Sequence, residues 1–249
     1  MKCKASSPQP LSKDDSCFEC FKNSQCLAKR ITLGDMQGLD SQVLNNKKYR
    51  RGDYIYRQGD ACKYLFVIKA GSAKSQIILV EGTDQVIGFH FSTEVLGLDA
   101  LDSNKHASSV VVLENSIVCA FPRQLIEKCC MTTSAFQTDL IARFSREIVH
   151  EHQLLMLINK NTAEQRVAIF LLDLFIRMGF RGEAKVDINL CMNRADIANY
   201  LGLASETVSR VLSKFERLGI IAVKKKKLKI IDIKMLSEYS AHHCHSEFS

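Results

Sequence analysis

The segment that decides the fold is RADIANYLGLASETVSRV, residues 194–211. Apolar residues recur at helical spacing before and after a central glycine, which predicts two short helices joined by a turn. Ala198 is small enough for the helices to cross closely, and Gly202 can adopt the left-handed backbone of a tight turn. Ser205 is a suitable N-cap for the second helix. We expect a helix-turn-helix whose shared apolar core consists of Ile197, Leu201, Leu203, Val208 and Val211.

The predicted second helix has a polar outer face at its beginning. Glu206, Ser209 and Arg210 lie on this face, at the part of such a helix that enters a DNA major groove. Arg can form a bidentate pair with guanine, Glu can accept from cytosine N4, and Ser can contact a base or a phosphate. The alternative is an ordinary helical hairpin without a nucleic-acid partner.

Positive charge is concentrated in the same region. Residues 193–236 contain ten Lys or Arg against four Asp or Glu, which is about six of the seven excess positive charges of the chain. Two apolar runs, Ile220–Val223 and Leu228–Ile233, predict a β-hairpin wing. Its tip would place Lys224, Lys225, Lys226 and Lys227 against phosphates. On charge alone, a solvated lysine face is an equal alternative.

The N-terminal half has the pattern of an antiparallel β-sandwich or roll. Turn signals at 51–53, 58–60, 70–72 and 81–84 separate short runs of strand-forming residues. The predicted strands are Tyr54–Tyr56, Tyr64–Ile68, Ser75–Val80, Gln85–Phe91, Ser108–Leu113 and Ile117–Phe121.

A long helix without internal glycine or proline is predicted roughly over 134–158. One stripe has the alternating gaps of three and four that a helix uses to pack along a partner helix. The stripe consists of Ile141, Phe144, Ile148, Glu151, Leu155 and Ile158. Glu151 would face its twin across a two-fold axis, so the dimer would be weak. The alternative is a helix packed on its own β domain, with Glu151 at the edge.

The ten cysteines include a C-x2-C-x5-C group, Cys17, Cys20 and Cys26. Their neighbours are polar, so packing does not explain these thiols, and a metal ion or cluster with a fourth ligand does. Spacing leaves zinc, iron–sulfur and thiol redox chemistry open. The tail His242-His243-Cys244-His245 could bind a metal, but a frayed terminus is favoured. Candidates for the fourth ligand are Cys3, Cys62, Cys119, Cys129, Cys130, Cys191 and Cys244.

Several classes of protein are disfavoured by what the sequence lacks. It has no apolar run of about 20 residues and no secretory signal pattern, so we expect a cytoplasmic protein with no membrane partner. It also has no phosphate-binding glycine loop, nucleophile elbow or metal-hydrolase motif, so we do not expect an enzyme.

Together these parts resemble the CRP/FNR family of transcription regulators, and specifically its oxygen-sensing FNR branch. The resemblance is specific at the three N-terminal cysteines, at Cys119 within residues 116–122, and at residues 202–210. It implies an α+β fold with an N-terminal antiparallel β-roll of the cyclic-nucleotide-binding type, a long dimerisation helix and a C-terminal winged helix-turn-helix. The predicted units are a cysteine-rich segment 1–28, a sensor domain 29–133, a dimerisation helix 134–160, a DNA-binding domain 161–238 and a tail 239–249.

The resemblance also implies how the protein works. Cys17, Cys20, Cys26 and Cys119 would hold one [4Fe–4S] cluster per subunit, and the cluster would favour a homodimer when oxygen is absent. Glu151 matches an acidic position on the dimer helix of the branch. The dimer would bind palindromic promoter DNA and contact RNA polymerase for activation, and oxygen would degrade the cluster. No cyclic nucleotide is expected, because residues 106–109 read His-Ala-Ser-Ser where nucleotide-binding members use an Arg-Ser pair.

Overall fold

The computed structural model describes residues 26–27, 44–178 and 186–240. The N-terminal domain is built from eight strands in two four-stranded antiparallel sheets, with the orders β1-β8-β3-β6 and β2-β7-β4-β5. This architecture confirms the predicted β-roll. The strands are β1 Leu44–Tyr49, β2 Tyr54–Tyr56, β3 Tyr64–Ala70, β4 Ala73–Ile78, β5 Asp84–His90, β6 Val95–Leu96, β7 Ser109–Val112 and β8 Ser116–Pro122.

Two details of the roll differ from the sequence prediction. Strand β1 was not predicted because residues 45–48 read Asn-Asn-Lys-Lys, which have low strand propensity, and pairing with β8 overrides that preference. The predicted strand Ser75–Val80 is too long. It ends at Ile78, because Leu79 N–H bonds to the Thr83 carbonyl across a turn and leaves Val80 fully exposed.

Strand β3 separates two apolar cores, since successive side chains point to opposite faces of a sheet. Phe66 and Ile68 pack between the two sheets. Leu65 and Val67 point outward into a second cluster, which we call the cysteine core. Its buried members are Leu27, Cys62, Leu65, Val67, Ala100, Cys119, Phe121, Leu125, Ile126, Cys129, Phe136 and Leu140.

Two helices follow the roll, α1 Arg123–Thr132 and α2 Ser134–Lys160. Helix α1 was not predicted, although its buried Leu125, Ile126 and Cys129 have helical spacing. Helix α2 confirms the predicted long helix and extends it by two residues. Within the described parts of the chain, no helix is both long and apolar enough to cross a membrane.

The C-terminal domain begins with α3 Ala163–Arg177, which a capping box between Thr162 and Gln165 starts. A three-stranded sheet with the order β10-β11-β9 and three further helices complete it. The remaining elements are β9 Val186–Asn189, α4 Arg194–Leu201, α5 Ser205–Arg217, β10 Ile221–Lys224, β11 Lys227–Ile230 and α6 Ile233–Ser240.

The end of this domain corrects one prediction. The second wing strand was predicted to reach Ile233, but it ends at Ile230 and Ile233 begins α6. The Asp232 carboxylate accepts the N–H of Met235, which satisfies a backbone donor at the start of the helix and stops the strand. Helix α6 continues to Ser240, two residues past the predicted boundary at 238. The histidine-rich tail at 242–245 lies outside the described residues.

Candidate DNA-binding surface and cysteine site

Helices α4 and α5 form the predicted helix-turn-helix. Gly202 has φ 62° and ψ 41°, the left-handed conformation expected of the turn. Ile197, Leu201, Val208 and Val211 are buried in one core, and Leu203 packs partly buried against it. Ala198 is also buried, as a close helix crossing requires. The backbone and the apolar positions of this motif are therefore confirmed.

The predicted cap of the second helix is wrong by one residue. Ala204 is the N-cap of α5, and Ser205 is the first helical residue, whose hydroxyl donates to Glu206 Oε1 at 3.1 Å instead. Hydrogen bonds from the Glu206 backbone N–H and from Ser205 lower the pKa of the Glu206 carboxyl. Glu206 is thus ionised at neutral pH and can act as an acceptor.

The outer face of α5 is exposed where base contacts are expected. Glu206, Ser209 and Arg210 are all exposed, and the Arg210 guanidinium donates to the Thr207 hydroxyl at 3.2 Å. An open groove runs beside this face and continues to the start of α3. Its further polar lining, which sequence analysis missed, comprises Thr162, Glu164, Thr207, Ser213, Lys214 and Arg217, with Lys214 donating to the Glu164 carboxylate at 2.6 Å. The sequence does contain a signal for three of them, because Ser213, Lys214 and Arg217 follow Arg210 at helical spacing and so lie on the same face.

The wing has the predicted hairpin form. Strands β10 and β11 are antiparallel, with Lys224 opposite Lys227 and Lys225 at φ 58° in the turn between them. All four lysines, Lys224, Lys225, Lys226 and Lys227, are exposed. A tip with four exposed cations beside the recognition face of α5 can contact a phosphate backbone.

The structure brings two of the four predicted cluster ligands into one environment. Cys26 is half-buried against the cysteine core, and Cys119 is buried within it on β8 opposite Val67. Cys17 and Cys20 lie outside the described residues. Among the described residues, no group of three or more His, Cys, Asp or Glu side chains is arranged to hold a metal ion.

Two further candidates for the fourth ligand, Cys3 and Cys244, lie outside the described residues, and the other four divide between two cores. Cys62, Cys129 and Cys130 belong to or pack on the cysteine core, whereas Cys191 is buried in the core of the DNA-binding domain. Of the six cysteines in the described residues, five therefore belong to or pack on one apolar core. Thiols next to apolar side chains that exclude solvent are donors of the kind that an iron–sulfur cluster takes.

The cysteine core packs directly on the first half of α2. Phe136 and Leu140 are buried in it, and the predicted seam residue Phe144 packs partly buried on its edge. The seam residues Ile141, Ile148 and Leu155 are 60%, 51% and 59% exposed, and Glu151 is exposed as well. Ile158 packs partly buried against the core of the DNA-binding domain. Ile141, Ile148 and Leu155 thus form an uncovered apolar stripe, whereas Phe144 and Ile158 each contact a core of the same chain.

The region expected to lack a nucleotide phosphate site is occupied by the protein's own groups. The Asp99 carboxylate accepts the Ala107 N–H at 3.1 Å and the Ser108 hydroxyl at 3.2 Å. His106 is buried, with its ring stacked 3.7 Å from that of Tyr56. Burial alone would raise the pKa of Asp99, but hydrogen bonds and the charge of His106 outweigh burial and lower it. An anionic side chain therefore accepts from both the Ala107 N–H and the Ser108 hydroxyl.

The DNA-binding domain is attached to the roll by polar contacts. Arg177 of α3 donates to Glu94 Oε2 at 2.7 Å and to the Phe89 carbonyl at 2.5 Å. The Asn199 side chain of α4 bonds to the edge of β5, accepting from Val86 N at 2.6 Å and donating to the Asp84 carbonyl at 2.8 Å. These contacts hold α4 on the roll and leave the outer face of α5 uncovered.

We expect Glu94→Gln to lower the free energy of unfolding by about 1–3 kcal/mol at neutral pH. Burial would raise the pKa of Glu94, but Arg177 and His90 outweigh it and lower the pKa to about 2. The stabilisation is therefore complete above the ordinary pKa of the carboxyl and is lost as pH falls toward 2. Urea unfolding from neutral to acidic pH should show the difference between variant and wild type shrinking. A difference that stays constant down to about pH 3 contradicts this assignment.

The fold and the exposed surface define a class, a DNA-binding protein with a winged helix-turn-helix joined to an antiparallel β-roll. Sequence comparison agrees: residues 165–239 match the Crp-like helix-turn-helix domain and residues 46–133 match the cyclic nucleotide-binding domain. The chain belongs to the CRP/FNR family of transcription regulators.

Relatives in this family are similar over nearly their full lengths. The transcriptional activator protein Anr of Pseudomonas aeruginosa is 34% identical over 87% of this chain and 88% of its own. The fumarate and nitrate reduction regulatory protein of Escherichia coli is 31% identical over 91% of this chain and 90% of its own length. The structure of FixK2 from Bradyrhizobium japonicum superposes with a TM-score of 0.73 at 28% identity, covering 80% of this chain and 98% of FixK2. These relatives support a transcription regulator that binds DNA through its helix-turn-helix.

Proposed function

We propose that this protein is an oxygen-responsive transcription regulator that binds palindromic promoter DNA as a homodimer while its [4Fe–4S] cluster is intact. The observation that carries the proposal is the position of Cys26 and Cys119. Both lie in the cysteine core, which packs on Phe136, Leu140 and Phe144 of the helix predicted to form the dimer. A change at the thiols would therefore reach the dimer helix through direct apolar contact.

Cys17, Cys20, Cys26 and Cys119 would hold one cluster per subunit. When bound, the group supplies reactivity toward oxygen, and its loss changes the packing of the segment that carries the ligands. Leu27, next to Cys26, is fully buried in the same core as Phe136. Ligation of Cys26 would fix Leu27 in place, and loss of that anchor would loosen the support for the start of α2.

The homodimer would form along the uncovered stripe of α2. Ile141, Ile148 and Leu155 supply the apolar contacts, with Phe144 and Ile158 at their margins. Glu151 would lie opposite its twin, and two like charges in a partly dry seam oppose association. The dimer is then weak enough for the state of the cluster to decide whether it forms.

We expect Glu151→Ala to tighten the dimer in air by roughly tenfold or more, because it removes like-charge repulsion from the seam. Sedimentation analysis of aerobically prepared protein measures the monomer fraction. Glu147→Ala is the matched control, since Glu147 is exposed on the same helix outside the seam. An unchanged monomer fraction in Glu151→Ala contradicts the proposed seam.

On DNA, each half-site would receive one α5 helix. Glu206, Ser209 and Arg210 would contact bases, and Lys224 to Lys227 would contact phosphates. Thr207, Ser213 and Arg217 extend the same face and would contact the backbone beside the bases. The regulator would work in the cytoplasm and contact RNA polymerase for activation.

We also propose that no cyclic nucleotide regulates this chain, because Asp99 occupies the donors at Ala107 and Ser108. A phosphate placed there would meet a carboxylate rather than an arginine. Titration calorimetry with millimolar cAMP should give no saturable heat and no change in operator affinity. Saturable binding would show that Asp99 leaves the site, and it would contradict this proposal.

Anaerobic purification followed by iron, sulfide and zinc analysis tests the proposed function. We expect about four iron and four sulfide per subunit, a brown colour and loss of both iron and colour in air. A colourless protein with stoichiometric zinc would instead favour a zinc-dependent regulator of the same fold. A metal-free protein whose DNA binding follows thiol oxidation would favour a redox switch.

A further inference from the structure

One half-buried arginine joins the end of the dimer helix to the turn of the helix-turn-helix. Arg166 Nη2 donates to the Ile158 carbonyl at 2.5 Å, and Nε donates to the Asn161 carbonyl at 3.0 Å. On its other side, Nη1 donates to the Leu201 carbonyl at 3.0 Å and reaches the Gly202 carbonyl at 3.4 Å. The first two carbonyls lie at the C-terminal end of α2, and the other two lie at the C-terminal end of α4.

These four acceptors suit a guanidinium. The last carbonyls of a helix have no partner within it, and the helix dipole places negative partial charge on them. The C-terminal ends of α2 and α4 lie close together here, so their negative partial charges would repel each other without a positive group between them. The planar fork of arginine carries five N–H donors on three nitrogen atoms, so it can reach both helix ends at once, whereas the three donors of an ammonium share one nitrogen.

Apolar contact supports the same junction. A Cβ built on Gly202 would lie 3.5 Å from Arg166 Nη1 and 3.8 Å from Ile158 Cγ2, so the turn rests on both residues. Ile158 is a residue of the proposed seam. The chain of contacts therefore runs from the seam, through Ile158 and Arg166, to the turn that places the first residue of α5.

We propose that Arg166 is a positioning residue that sets the orientation of the recognition helix α5 relative to the dimer axis. This inference rests on the proposed function, because it needs a dimer along α2 that reads two half-sites. In such a dimer the two Arg166 junctions fix the separation and rotation of the two α5 helices. The residue thereby determines which half-site spacing the dimer accepts.

Affinity for palindromes with different half-site spacings distinguishes a positioning role of Arg166 from a purely stabilising one. One base pair inserted between half-sites moves one of them by about 3.4 Å and rotates it by roughly 34°. The probe is the palindrome that anaerobic wild-type holoprotein selects from a random DNA pool, with versions carrying one or two inserted base pairs. The variants are Arg166→Gln and Arg166→Lys. The control is Arg146→Gln, an exposed arginine on α2 outside the seam.

We expect wild type and Arg146→Gln to lose about tenfold or more in affinity for one inserted base pair. Arg166→Gln should lose less than about threefold, and its affinity for the selected palindrome should fall by roughly tenfold. Arg166→Lys keeps a positive charge at the two helix ends but cannot donate to both at once. It should therefore lose less stability than Arg166→Gln and yet tolerate the inserted base pair. Dimer fraction should be unchanged in both variants.

Wild-type spacing discrimination in Arg166→Lys and in any folded Arg166→Gln overturns the inference while leaving the proposed function intact. The inference is also overturned if operator affinity and dimer fraction fall only in proportion to the loss of thermal stability. That result would show that Arg166 only stabilises the fold. If wild-type holoprotein selects no palindrome, the proposed function fails and this inference fails with it.

Discussion

Replacing Cys119 with serine is expected to abolish cluster assembly and, with it, operator binding. Of the two proposed ligands within the described residues, Cys26 and Cys119, only Cys119 lies on a strand of the roll. As a ligand it would join the cluster to the roll. Serine has nearly the same size but is a poor ligand for iron. Iron and sulfide should fall to background, and operator affinity should fall by about 100-fold or more to the non-specific level.

Cys62→Ser is the control for this experiment. Cys62 is buried in the same cysteine core, 6% exposed against 7% for Cys119, so the two changes disturb packing to a similar extent. The control should keep its cluster. A normal cluster in Cys119→Ser would reassign the fourth ligand to Cys62, Cys129 or Cys130, which share that core.

The second large effect is expected at the recognition helix. Arg210→Ala should abolish sequence-specific binding, because a bidentate contact to guanine contributes about 1–3 kcal/mol in each half-site and the dimer loses it twice. Competition between the operator and a scrambled duplex measures the specificity ratio. That ratio should approach one, while affinity for the scrambled duplex changes little.

Lys225→Ala is the matched comparison. Lys225 is exposed at the tip of the wing, and we propose that it contacts phosphate rather than the base edges assigned to α5. Its loss should weaken binding to both duplexes alike and reduce the slope of affinity against salt by about one per subunit. Equal losses of specificity in the two variants would contradict the division of roles between helix and wing.

The helix-turn-helix could be predicted closely because each of its positions has a local cause. Gly202 must supply a positive φ, and the apolar residues must repeat at helical spacing to form one core. The N-cap was misplaced by one residue because serine is favoured at an N-cap and alanine is not. The extended backbone of Ala204, with φ −77° and ψ 148°, places the cap there without any side-chain hydrogen bond.

The rest of the site depends on contacts between residues far apart in sequence. Nothing local indicates that Cys26 packs on the same core as Cys119, or that Asp99 accepts hydrogen bonds from Ala107 and Ser108. The same is true of Arg166, whose acceptors come from two different helix ends. Helix α1 was not predicted for a related reason. Its apolar stripe is short, and it is stabilised by packing against side chains of β3 and β8, which are distant in sequence.

The central claim is that the state of the cysteine site decides whether two chains associate and read a palindrome. Operator affinity of one anaerobic preparation, measured before and after removal of its metal, tests this claim most directly. The account predicts a dimer with high operator affinity in the loaded form, and a monomer at least about 100-fold weaker in the metal-free form. Equal association and equal operator affinity in the two forms would contradict it.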